Sequence, residues 1–231
     1  IKKIDKNIVK NHEDYLRNMS KLEELKSQRY NTLNYHENRH KILCDYLEYC
    51  GFIHYDNDEI KLTKKGEIAS RINDCNCLLL SEIIESGMLH SLSTNKIISL
   101  LSIFSSYNSN DVKYFHKLDE QIYTIYDIIE DFENAEISFG IYSDYIEWII
   151  TPNYTEITYQ WIKNNNIYDY LNEMNEYEGN FVKNMLKLNN LIENIKPILE
   201  YVGEYDLLKK LENSDSLIMK GIVNVNSLYL E

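Results

Sequence analysis

The sequence is short of the residues that make turns. Its 231 residues include 7 Gly and 2 Pro. Sheet-rich domains need such residues at short intervals and helical bundles need few, so the shortage predicts a mainly α fold. No run of eighteen apolar residues occurs, so neither a membrane span nor a membrane partner is expected. Cations are scarce as well: 24 Lys and Arg stand against 37 Asp and Glu, a formal net charge of −13. Such a surface repels phosphate on average, so any nucleic-acid contact must be local and shared with another domain.

What is present supports a folded chain. Hydrophobic residues make up 44%, enough for a core and too many for wholesale disorder. Twenty Tyr, with abundant Asn, Ile and Lys, fit an A+T-rich coding sequence. That bias lowers the functional weight of any single Tyr or Asn. The start at Ile1-Lys2-Lys3, without an apolar leader, reads as the edge of an excised segment.

Cys44, Cys50, Cys75 and Cys77 lack the spacing of a disulfide framework, which points to a reducing, intracellular setting, nuclear or cytoplasmic. His36, His40 and Cys44 recur at four-residue steps, and Cys75-x-Cys77 could in principle complete a zinc site. C-x-C is tighter than structural zinc spacing, and Cys44 lies on an apolar stripe. Free thiols, buried or partly buried, are therefore the expectation, with no metal.

Periodicity divides the chain into three parts. In residues 1–35, Ile1, Ile4, Ile8, Tyr15, Met19, Leu22 and Leu25 form a narrow helical seam that asks for a partner helix. Residues 36–73 begin with the apolar face Ile42, Leu43, Tyr46, Leu47 and Cys50, with Gly51 placed as a left-handed C-cap. A short hairpin follows around Asp56-Asn57-Asp58, and Thr63 is placed to cap a helix over 64–72 in which Gly66 packs closely. Residues 74–231 read as a helical bundle. Its helices are expected at 78–89, 95–104, 118–139, 141–150, 155–163, 167–174, 178–201 and 206–226, with Ser93-Thr94 capping the second.

Several strings within this pattern belong together. Leu62-Thr63-Lys64-Lys65-Gly66-Glu67-Ile68-Ala69-Ser70-Arg71-Ile72 comes first, followed by Leu78-Leu79-Leu80-Ser81-Glu82-Ile83-Ile84 and Leu100-Leu101-Ser102-Ile103-Phe104. Trp161 opens the last third, then Ile167-Tyr168-Asp169-Tyr170-Leu171 and Glu178-Gly179-Asn180-Phe181-Val182-Lys183. The chain closes on Ser227-Leu228-Tyr229-Leu230, one residue before its end. In order and spacing these resemble the C-terminal helical (DSHCT) domain of exosome-associated and superkiller-type DExH-box RNA helicases, over residues 39–231. Two departures stand out: Asn164-Asn165-Asn166 where that family has Gly, and Lys220-Gly221 where it has Arg-Asp.

The resemblance implies an architecture and a role. Residues 1–35 would be the returning stalk helix of an arch insertion, 36–73 the C-terminal part of a winged-helix domain, and 74–231 the bundle. The bundle would line the channel by which single-stranded RNA leaves two upstream motor domains of an ATP-dependent 3′–5′ RNA helicase in RNA processing or decay. An exosome-like nuclease or adaptor proteins are possible partners. ATP and Mg²⁺ would belong to the motor, because the chain has neither G-x-x-x-x-G-K-[ST] nor D-E-x-H. The segment itself is expected to need no cofactor and to hold no catalytic residue.

The best RNA-binding candidates are Lys183, Lys187, Asn190 and Asn194, on the helix face opposite Phe181, Val182, Met185, Leu188, Ile192 and Ile195. Lys offers charge to phosphates, and Asn can bond sugar or base edges. The family has Arg at the position of Lys183, so bidentate geometry is lost. A solvated helix face is the competing reading of the same stripe. Trp161 is expected as a core anchor rather than a base-stacking platform. Glu178 should complement the helix dipole rather than act as an acid, and Gly179 should admit a neighbouring helix. Two other roles remain for the chain: a motor-less helical interaction scaffold, and a winged-helix DNA-binding regulator. The regulator would need a basic recognition helix, whereas residues 64–72 supply only Lys64, Lys65 and Arg71.

Overall fold

The computed structural model describes residues 6–57, 59–105, 118–141, 148–163, 171, 177–220 and 222. It is mainly α, with one two-stranded antiparallel sheet among the described residues. The chain divides into two compact units, Ile1–Tyr46 and Leu47–Glu231. Most of the first is helix α1, Lys6–Tyr49, whose final turn belongs to the second. Separate helices predicted for 1–35 and for the stretch before Gly51 are one rod. Asn34 and Asn38 are weak helix formers, but no Gly or Pro interrupts residues 6–49. Tyr15, Met19, Leu22 and Leu25 of the predicted seam are all exposed.

Gly51 ends α1 in the left-handed region, at φ +76°, and its N–H bonds the Glu48 carbonyl. Strands β1 (Ile53–Asp56) and β2 (Glu59–Leu62) then pair antiparallel, Ile53 opposite Leu62 and Asp56 opposite Glu59. Asn57 takes the turn at φ +50°, a conformation that Asn tolerates. Thr63 caps α2 (Lys64–Ala69), accepting from the Gly66 N–H at 3.1 Å and donating to the Gly51 carbonyl at 2.7 Å. This helix is six residues long, shorter than the predicted 64–72, and so presents little recognition surface.

The bundle continues with α3 (Cys77–Glu85), capped by the Asn76 side chain, and α4 (Thr94–Leu101). Between them Gly87, at φ +74°, stops α3 and leads into the 3₁₀ turn Met88–Ser91. Ser93 holds the N-cap position of α4 without a side-chain bond, and Thr94 instead donates to the Lys210 carbonyl at 2.9 Å. Helices α5 (Asp119–Ser138), α6 (Tyr154–Lys163) and α7 (Glu178–Val202) follow. The chain then forms α8 (Tyr205–Leu211) and α9 (Ser214–Ile218).

Two predicted helices differ. Of the helix predicted for 141–150, residues 142–147 lie outside the described residues and 148–150 are not helical: the Trp148 indole N–H reaches Glu136 at 3.1 Å while its ring stacks on Phe132. The single helix predicted for 206–226 breaks after Leu211 because Asn213 leaves helical angles, at φ −104° and ψ 23°. The predicted helix at 167–174 lies, apart from Leu171, outside the described residues.

The core runs through the second unit. Leu79, Leu80, Ile97, Ile98, Leu101 and Tyr154 from α3, α4 and α6 are almost wholly buried. Each such side chain contributes roughly 1.5–3 kcal/mol by leaving water. Glu136 is buried with them, and burial raises its carboxyl above the ordinary carboxylate range. The Trp148 hydrogen bond opposes that rise and Glu133 adds to it. All four cysteines are free. Burial, then Cys77, then Asp74, push the Cys75 thiol up to about 12, which makes it a poor nucleophile and metal ligand. His40 lies 3.7 Å from Cys44 Sγ, and no group of three metal-ligating side chains forms among the described residues.

A polar clasp joins the hairpin region to the end of α7. The Glu204 carboxylate accepts from Lys64 Nζ at 2.6 Å and lies 3.1 Å from His90 Nε2. Lys64 holds the carboxyl below its ordinary range, burial opposes this, and His90 adds to the lowering. A depressed carboxyl stabilises the fold above its unfolded pKa, and that stability is lost as pH falls through the folded value. Glu204→Gln should therefore flatten the acid limb of the stability–pH curve, measured by urea denaturation across pH 3–7. Gly66 supports a second prediction, since a Cβ there would lie 1.9 Å from the Phe52 carbonyl oxygen. That oxygen is fixed by the Thr63 N–H at 3.0 Å, so Gly66→Ala should cost about 3 kcal/mol or more by the same assay.

Candidate nucleic-acid interface

Helix α7 is the longest of the second unit, and its orientation follows from one face of side chains. Phe181, Met185, Leu188, Ile192, Ile195 and Leu199 recur at steps of four and three and are buried. Val182, predicted on this face, is half-buried at its margin. Glu178 stands in the first turn, where a carboxylate complements the helix dipole. Gly179 corrects the expectation of a close helix approach: a Cβ there would meet nothing within 4 Å. It sits in the exposed first turn, ahead of the first buried residue, Phe181. At the other end Gly203, at φ +80°, terminates the helix, and the Glu204 N–H bonds the Leu199 carbonyl at 2.8 Å.

Trp161 is a core anchor, as predicted. It is 7% exposed, its indole N–H donates to the Ile218 carbonyl at 2.7 Å, and its ring meets Phe181 edge-on at 5.5 Å. Lys220 Nζ lies 5.8 Å from the centre of that ring and donates to the Ile162 carbonyl at 2.6 Å. Burial lowers the Lys220 pKa. The Lys at this departure from the family pattern thus has a structural partner. Ser227, Leu228, Tyr229 and Leu230 lie outside the described residues, as do Asn164-Asn165-Asn166 and Gly221.

Lys183, Lys187, Asn190 and Asn194 are all exposed. At 3.6 residues per turn they fall within a sector of about 60°, and the two Lys stand about 6 Å apart along the axis. The structure thus brings the four predicted residues together on the solvent side of α7. They are not equivalent. Asn194 Nδ2 donates to Asp74 Oδ2 at 2.5 Å, so its amide is engaged and a carboxylate marks that end of the stripe.

Sequence reasoning missed the neighbours of that end. Arg71, Asn73, Asp74, Asn194, Pro197 and Ile198 line a cavity of about 440 Å³. The Arg71 guanidinium lies over the Tyr201 ring, 3.9 Å from its centre. Arg71 was legible only as one cation of a short helix. Its position against α7 depends on the turn after Ala69, which no local pattern announces.

The family model of the DSHCT (NUC185) domain matches residues 59–226. DExH-box ATP-dependent RNA helicase DExH9 of Arabidopsis thaliana is 24% identical over 188 residues, covering 80% of this chain and 19% of that protein. ATP-dependent RNA helicase mtr4 of Schizosaccharomyces pombe is 24% identical over 173 residues, 72% of this chain and 15% of that protein. Exosome RNA helicase MTR4 of Homo sapiens is also 24% identical, over 72% of this chain and 16% of its own length. The chain thus spans about a fifth or less of each of these relatives. With the match running from the hairpin through α9, the chain belongs to the DSHCT (NUC185) domain family.

Proposed function

We propose that this chain is the C-terminal accessory segment of an ATP-dependent 3′–5′ RNA helicase, and that the exposed stripe of α7 lines the path of the departing single strand. The observation that carries this reading is the two-faced rod. One side of α7 is locked into the core, and the other presents two Lys one turn apart. Lys183 and Lys187 offer point charges to successive phosphates, and Asn190 bonds sugar or base edges. Asn194 joins them by exchanging its bond to Asp74 for one to RNA.

The rest of the molecule fits a supporting role in that machine. Residues 1–35 act as the returning stalk helix, and their exposed seam suits an antiparallel mate from the outgoing strand of an arch. Residues 36–73 supply the end of a winged-helix domain, and 74–231 the channel-lining bundle. ATP and Mg²⁺ are bound by motor domains, since this sequence offers no phosphate loop. An exosome-like nuclease or its adaptors are the downstream partners, in line with the name of the human relative.

The test is charge reversal in the helicase polypeptide that carries this segment. Lys183→Glu with Lys187→Glu should lower unwinding of a 3′-tailed duplex about ten-fold or more while leaving the helical circular dichroism intact. Unchanged unwinding, ATPase and RNA affinity would remove the assignment of the stripe.

A further inference from the structure

A second cavity, of about 490 Å³, lies in the second unit beside α5 and away from the α7 stripe. Its apolar lining comes from Ile128, Phe132 and Ala135 on one face of α5, with Tyr49 and Cys50 at its edge. The aromatic lining is held in place from behind. Phe132 stacks on Trp148 at 4.8 Å and 9°, and tilts against Phe52 at 6.0 Å. Tyr49 is 72% exposed and leans on Phe139 at 5.5 Å, so its ring has a free surface. Such a groove is largely formed before a ligand arrives.

Charge decides what would fill it. Two carboxylates line the cavity, Glu82 and Asp131, and no Lys or Arg does. Glu82 is neutralised by Lys65 Nζ at 2.6 Å, which also lies 4.5 Å from the Phe52 ring centre. Asp131 is exposed, and among the described residues neither its side chain nor that of the neighbouring lining residue Asn134 makes a hydrogen bond or ion pair. Beyond the lining, α5 carries six further acidic side chains and no Lys or Arg. A phosphate-bearing ligand would be repelled there, and an anionic peptide likewise.

We propose that this groove docks a basic segment of a protein partner by seating one arginine side chain. The aliphatic stem lies over Ile128 and Ala135, and the guanidinium reaches the open carboxylate of Asp131 with the Asn134 carbonyl as a second acceptor. Tyr49 supplies an aromatic face for the same cation. Arginine suits this site better than lysine, because its planar fork can satisfy a carboxylate and an amide oxygen together. The site is independent of the RNA stripe on α7.

The experiment uses the full 231-residue chain at physiological salt and a fluorescein-labelled hexapeptide alternating leucine and arginine, read by anisotropy. Two control peptides replace arginine by citrulline, which keeps the shape without the charge, or by glutamate. Asp131→Lys reverses the charge at the rim, Ser138→Trp fills the mouth, and Asp127→Lys makes the same reversal on an exposed α5 position outside the lining. The arginine peptide should bind, and the citrulline and glutamate peptides should bind about ten-fold more weakly or not at all. Asp131→Lys and Ser138→Trp should each weaken binding about ten-fold, against about two-fold for Asp127→Lys. Absence of arginine-peptide binding, equal binding of the citrulline peptide, or equal losses from Asp127→Lys and Asp131→Lys would each overturn the proposal.

Discussion

The indole of Trp161 fixes the rotation of the helix that matters most. Its N–H is committed to the Ile218 carbonyl, its edge faces Phe181, and the adjacent Ile162 carbonyl is bonded by Lys220. Helices α6, α7 and α9 therefore meet at one buried point. A buried Trp lacking that acceptor would leave a donor unsatisfied, at a cost of roughly 1–3 kcal/mol. Once Phe181 is pinned, the helical period places Met185, Leu188 and Ile192 inward. The same period leaves Lys183 and Lys187 no position except the outside. The exposure of the cationic stripe is thus a consequence of apolar packing, because nothing in the charges themselves would orient the rod.

The second fixed point lies at the other end of α7. Gly66 brings α2 within backbone distance of Phe52, and Thr63 closes the corner by capping α2 and bonding the Gly51 carbonyl. Lys64 projects from that corner to Glu204, just past the Gly203 terminus of α7. One end of α7 is held by aromatic packing and the other by a partly buried ion pair. These restraints differ in kind. Packing is insensitive to salt and pH, whereas the Glu204 clasp weakens as its carboxylate is protonated.

How much of this was readable beforehand depended on whether local chemistry or tertiary context decided each point. The α7 stripe, the Thr63 cap and the left-handed end at Gly51 follow from periodicity and dihedral preference, and all were legible. The continuity of α1 was not, since a change in the apolar pattern near residue 36 looked like a boundary although nothing there breaks a helix. The non-helical path at 148–150 was hidden for another reason. Its cause is the fit of one indole between Phe132 and Glu136, a contact between residues twelve or more apart in sequence. Gly179 misled because glycine serves both close packing and open first turns, and sequence alone does not separate the two. Asn194 was placed correctly on its face, but its tie to Asp74 spans 120 residues and left no local trace.

On the proposed function, the distribution of charge bears on how so acidic a chain would meet a polyanion. A net charge of −13 spread over a surface falls off within a Debye length of about 8 Å at physiological salt. A strand on the proposed path would feel the nearest turn or two of helix, and on the exposed stripe of α7 those turns carry Lys183 and Lys187. The carboxylate of Asp74 sits toward the opposite end of the stripe, where it engages Asn194. A uniformly basic helix would hold RNA more tightly and pass it on more slowly. On the proposed function, the acidity of the chain would limit affinity, as a surface that a strand must leave requires.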